Sequence, residues 1–143
     1  MLEKKAGCMY CDEVCAHRDS LMLPVCEFEH SSLYLFRDQK NRGRCILAAK
    51  GHATDLTDLS KEDLHGFTDE LMLVANAIHR AFKPDKVNYG SYADTVKHLH
   101  IHVVPKYIGG PNWNQPFSDA NPVFLNDDEY AEIIALIKKE LGK

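Results

Sequence analysis

The chain has 143 residues, 45% hydrophobic and 27% charged, the balance of an ordinary globular protein with one domain, here 1–143. A net charge of −4 and a pI near 6.0 argue against long nucleic acid as a partner. No apolar run reaches the roughly 18 residues of a membrane span, and Met1 to Gly7 lacks the apolar centre of a secretory leader. The expected compartment is therefore the cytosol. There the five cysteines (Cys8, Cys11, Cys15, Cys26, Cys45) are thiols or metal ligands rather than disulfides.

In chain order, residues 1–30 read as irregular and cysteine-rich. Ser32 to Asp38 predicts a strand, the polar run Gln39 to Gly43 a turn, and Arg44 to Lys50 a second strand, together a hairpin. Ser60 followed by Lys61-Glu62-Asp63 signals a helix start. Leu64, Phe67, Leu71, Val74, Ala75, Ile78 and Phe82 then recur at helical spacing up to Lys83-Pro84, a stripe for the core or a dimer interface. Lys86 to Gly90 and Val96 to Lys106 predict two more strands. Residues 107–143 supply a loop rich in Asn and Pro and a helix over Asp127 to Leu141. Strands, helix, strands and helix predict an α+β fold with an antiparallel sheet.

The segment His98-Leu99-His100-Ile101-His102-Val103-Val104-Pro105 carries the chemistry. On a strand, alternate residues share a face, so His98, His100 and His102 line one side, roughly 7 Å apart in succession. Leu99, Ile101 and Val103 face a core. Imidazole is a nucleophile, a proton carrier near neutral pH and a metal ligand, and three on one face are not explained by packing.

This pattern resembles the histidine-triad family, whose signature is His-x-His-x-His followed by two apolar residues. The resemblance covers residues 5 to 106 and implies a nucleotide phosphohydrolase acting on nucleoside phosphoramidates or dinucleoside polyphosphates. It makes His100 the nucleophile that forms a nucleotidyl-histidine, His102 a hydrogen-bond partner on the phosphate side, and the backbone at His98 the group that fixes the tautomer of His100. Asn88 and Thr95 fall at positions that line the site in the family. Asp38 is the candidate ribose contact, Phe36 the candidate base-pocket wall, and Lys106 a candidate phosphate cation. The resemblance also implies a structural zinc held by Cys8, Cys11, His52 and His98. A local set of Cys8, Cys11, Cys15 and His17 is the alternative. A homodimer is expected from the family as well.

Two departures stand out. Arg44 occupies the place of a family histidine and reads as a solvated charge at the strand edge. Asp94 stands before the triad where the family carries glutamine, and its charge opposes a polyanion. Three rival readings follow: a nucleotide-binding module with little catalysis, a nucleotidyltransferase, and a zinc-storing protein. The intact His102 favours hydrolysis over transfer. Trp113 suits either base stacking or a dimer contact.

Overall fold

A computed structural model describes all of residues 1–143. Five strands form one antiparallel sheet in the order β1-β2-β3-β5-β4. They are β1 (Met22–Glu27), β2 (Ser31–Phe36), β3 (Cys45–Ala49), β4 (Lys86–Gly90) and β5 (His100–Lys106). Three helices accompany them: α1 (Ala16–Leu21), α2 (Lys61–Phe82) and α3 (Asp127–Leu141). No helix is long and apolar enough to cross a membrane.

One face of the sheet carries the core. Leu33, Leu35, Cys45, Leu47, Ile101 and Val103 are buried there with Phe67, Leu71, Val74 and Ile78 of α2 and Tyr130, Ile133 and Ile137 of α3. The expected stripe on α2 thus faces the core. The helix begins where Ser60 accepts a hydrogen bond from Asp63 N. α3 begins with a reciprocal cap between Asn126 and Glu129, which satisfies two backbone donors at once. Glu70, a buried acid of α2, accepts from His30 N at 2.8 Å and Ser31 Oγ at 2.5 Å, pinning the helix to the start of β2.

The opposite face bears the histidines. Register places Ile46 opposite His102 and Ala48 opposite His100. Gly90 of β4 also lies opposite His102. Met22, Tyr34, Ile46 and Ala48 form a second, smaller apolar cluster on this face, with Met9, Tyr10, Leu21 and Phe36 packed around it.

Two sequence expectations need correction here. Residues 1–30 are not wholly irregular, since they contain α1 and the edge strand β1. Pro24 hides β1 from strand patterning, yet an edge strand tolerates a missing N–H, and the register shifts between Pro24 and Cys26. The triad strand begins at His100 rather than Val96. His98 N instead bonds Val96 O, and Leu99 N bonds Ala53 O, which turns the chain just before the strand.

Candidate active site and metal centre

The chain turn at His98 directs its ring away from the strand partners and toward the N-terminus. His98 Nδ1 lies 3.4 Å from Cys8 Sγ and 3.5 Å from Cys11 Sγ. His52 Nδ1 lies 3.6 Å from Cys11 Sγ. All four ligand atoms fall within 4.8 Å of one another. Metal–ligand bonds of about 2.0–2.3 Å in a tetrahedron demand ligand separations of about 3.3–3.8 Å, so the set fits a zinc-type ion. Two thiolates and two imidazoles are the donor chemistry of a closed, structural zinc site. His98 Nε2 donates to Ala49 O at 2.7 Å, which leaves Nδ1 free to ligate. The alternative set fails, because Cys15 caps α1 by accepting from Arg18 N and His17 is exposed.

The same turn exposes the His98 carbonyl to the next imidazole. His100 Nδ1 donates to His98 O at 2.6 Å. A carbonyl only accepts, so the proton resides on Nδ1 and the Nε2 lone pair is free. Burial pushes the His100 pKa down, which keeps the ring neutral and nucleophilic. Tyr10 lies over both His98 and His100, with ring centroids 5.2 and 5.0 Å away.

His102 is fixed in the opposite sense. Arg44 Nη2 donates to its Nδ1 at 3.0 Å. Arginine has no acceptor, so His102 Nδ1 must accept and its proton sits on Nε2. Burial, then the Arg44 charge, holds the His102 pKa down to about 3. The two rings stand 5.3 Å apart, one with a free nitrogen lone pair and the other with a free N–H. Arg44 is therefore not a solvated edge charge. It is 1% exposed and sandwiched between Phe36 and Phe117 at 4.3 and 5.1 Å. Its partner Asp119 lies on the loop after the triad, 2.9 Å from Nη2. The sequence conceals this pairing because the residues are 75 apart.

The remaining candidates are distributed unevenly. Phe36 meets His102 edge-on at 5.7 Å and so belongs to the site wall. Asn88 shares the histidine face, opposite Val104, and lines clefts with Phe117 and with Lys106 and Trp113. Thr95 is exposed and lines a cleft on the metal side, beside Cys8 and His52. Asp94 is likewise exposed in the turn before the triad. Asp38 is buried and accepts from Lys40 N and Val123 N, tying the β2–β3 loop to the C-terminal segment. Lys106 is buried and donates to Gln115 O, anchoring the same long loop. Tyr10, Phe117 and Asp119 escaped sequence reading, since no local pattern marks aromatic or acidic residues that close over a site from distant loops.

A family model described as the HIT domain matches residues 23–109. The chain belongs to the HIT domain family. This HIT-domain protein is 26% identical over 128 residues to an uncharacterised HIT-like protein of Mycoplasma genitalium, covering 86% of this chain and 89% of that one. Its fold is similar to that of a histidine triad protein of Sinorhizobium meliloti, with a TM-score of 0.83, 22% identity and coverage of 92% and 98% of the two chains. It also resembles a Zn-bound histidine triad family protein of Mycobacterium smegmatis, with a TM-score of 0.61, 23% identity and 88% of each chain covered. The architecture of the HIT-domain protein is thus the family's own, α+β with a five-stranded antiparallel sheet.

Proposed function

We propose that this HIT-domain protein hydrolyses nucleotides bearing a phosphoramidate or phosphoric anhydride bond, through a nucleotidyl-histidine on His100. The observation that carries the reading is the 2.6 Å hydrogen bond from His100 Nδ1 to His98 O, which commits Nε2 to attack. In the first step Nε2 forms a bond to the α-phosphorus. The bond to the leaving group breaks, and its electron pair departs with the leaving atom, toward which His102 Nε2–H donates; a phosphate leaves as its oxyanion, and a phosphoramidate nitrogen takes a proton from solvent and leaves as the neutral amine. In the second step a water oxygen bonds to phosphorus and the P–N bond breaks. The electron pair returns to Nε2, and the water's protons pass to the product and solvent. Splitting the displacement in this way lowers each barrier.

The metal takes no part in either step. The fit of Cys8, Cys11, His52 and His98 to a tetrahedron, together with the zinc held by the Mycobacterium smegmatis relative, supports zinc as the resident ion. Bound there, it would fix the turn at His98 and hence the carbonyl that orients the nucleophile. A cytosolic location and a homodimer belong to the same proposal. The exposed Met72 and Leu73 of α2 and Tyr89 of β4 offer apolar surface for pairing.

The test is a turnover assay with adenosine phosphoramidate and diadenosine polyphosphates, with products resolved by chromatography. Wild type should release AMP, and His100→Ala should lose at least about a thousandfold in kcat, the scale of removing a covalent nucleophile. Undiminished turnover by His100→Ala would overturn the assignment.

A further inference from the structure

Arg44 presents an imbalance that the reaction above does not use. Its guanidinium is 1% exposed, yet Nε and Nη1 have no hydrogen-bond partner. Only Nη2 is engaged, by His102 Nδ1 and by Asp119 Oδ1. Leaving buried donors unpaired is costly, and more so for charged groups. Removal from water strains the cation further, and burial indeed pushes the Arg44 pKa down. Against this demand stands one monodentate carboxylate whose side chain is 72% exposed.

The carboxylate is also carried by a loop rather than by a strand or helix. Asp119 belongs to a stretch between β5 and α3, Tyr107 to Asn126, without helix or strand. Phe117 packs directly on Gly90, where a Cβ would come within 2.5 Å of its ring. Beneath it lies a cavity of about 170 Å³ lined by Arg44, Tyr92, His102, Phe117, Ser118 and Asp119. The chain therefore holds a buried cation, a small cavity against it and an exposed anion on a loop. His102 stands between that cation and His100.

We propose that Arg44 and His102 form a seat for a second phosphate of the substrate, which the Asp119 carboxylate occupies until a nucleotide displaces it. The proposal rests on the hydrolase reading above and narrows its substrate class to phosphoric anhydrides, namely nucleoside di- and polyphosphates and dinucleoside polyphosphates. A phosphate brings three acceptor oxygens where Asp119 supplies one contact, and a planar guanidinium suits them in a bidentate fork. When His100 Nε2 bonds to the α-phosphorus, the bridging P–O bond breaks. Its electron pair stays on the oxygen of the departing phosphate, whose growing charge Arg44 offsets. A neutral amine leaving from a phosphoramidate makes no use of this seat.

The experiment measures ADP and AMP binding by calorimetry on the full-length His100→Ala chain, which cannot turn them over, alone and combined with Asp119→Asn or Arg44→Met. ADP should bind at least about tenfold tighter than AMP, the factor expected of one charge-assisted hydrogen-bonded contact. Asp119→Asn should tighten ADP several-fold and leave AMP unchanged. Arg44→Met should bring the two nucleotides to equal affinity, with retained AMP binding reporting that the chain is folded; should that variant fail to fold, Asp119→Asn decides. Equal affinities for ADP and AMP, or a weakening of ADP by Asp119→Asn, would overturn the seat while leaving the hydrolase reading intact. Binding of neither nucleotide would overturn both.

Discussion

Withdrawing zinc is expected to destabilise the protein and disable its nucleophile together. Three of the ligand separations already have the edge lengths of a zinc tetrahedron, 3.4–3.6 Å, and all four atoms lie within 4.8 Å of one another, so binding demands only a modest closing of the set. A ligand that binds only the folded chain adds RT ln(1 + [L]/Kd), about 2.7 kcal/mol at a hundredfold excess over Kd. For a chain of this length each kcal/mol moves Tm by about 2–4 °C, so chelation from that state should lower Tm by about 5–11 °C. The lost contacts are specific. Residues before α1 are held by the metal ligands and by a few bonds such as His52 N to Glu3 O and Arg18 Nη1 to Asp12 O. Releasing them frees Tyr10 from His98 and His100, and frees the His98 carbonyl that holds the His100 tautomer. Turnover should fall with Tm and return when zinc is restored. The assay is thermal unfolding by circular dichroism with and without chelator, alongside Cys11→Ala, whose Tm should no longer respond. A wild-type Tm that chelator leaves unchanged within a degree, or a Cys11→Ala chain that responds as wild type does, refutes the reasoning.

Other predictions follow from the same geometry. The His102 pKa is about 3 in the folded chain against about 6.5 unfolded, so folding favours its neutral form. Its contribution is complete above pH 6.5 and is lost as pH falls toward 3, at up to about 1.4 kcal/mol per pH unit; denaturant unfolding of His102→Gln between pH 7 and 4 should show a shallower loss than wild type. Leu47, fully buried in the centre of the sheet, should cost about 2–5 kcal/mol as Leu47→Ala, read as a lowered denaturant midpoint with turnover retained in the folded fraction. Glu70→Ala leaves Ser31 Oγ and His30 N without their shared acceptor and should cost about 1–3 kcal/mol by the same measurement.

Much of this was legible in the sequence, for identifiable reasons. Alternation of histidine with Leu99, Ile101 and Val103 announces a strand with one reactive and one apolar face, and the structure buries those three apolar residues in the core. The stripe on α2 and the Ser60 cap declare that helix through spacing and side-chain chemistry confined to a few residues. The Cys8 and Cys11 pair converges with His52 and His98. What stayed hidden depends on long-range partners. β1 contains Pro24, which is tolerated only because the strand turns out to be an edge. Arg44 reads as a surface charge until Phe36, Phe117 and Asp119 close around it. Period alone groups His98 with its two neighbours, while the family resemblance gives its ring to the metal and its backbone to His100; the ring does lie against Cys8 and Cys11, and the carbonyl does accept from His100 Nδ1. That division of labour arises from the turn at Val96 to His98, which no residue pattern marks.

The most direct test is to quench the protein within milliseconds of mixing with a nucleotide substrate and measure the intact and peptide masses. A nucleotidyl group on the peptide containing His100, assigned to that ring and absent from His100→Ala, is the predicted result. Turnover with no such adduct at any quench time, or an adduct on His102 in its place, would contradict the account.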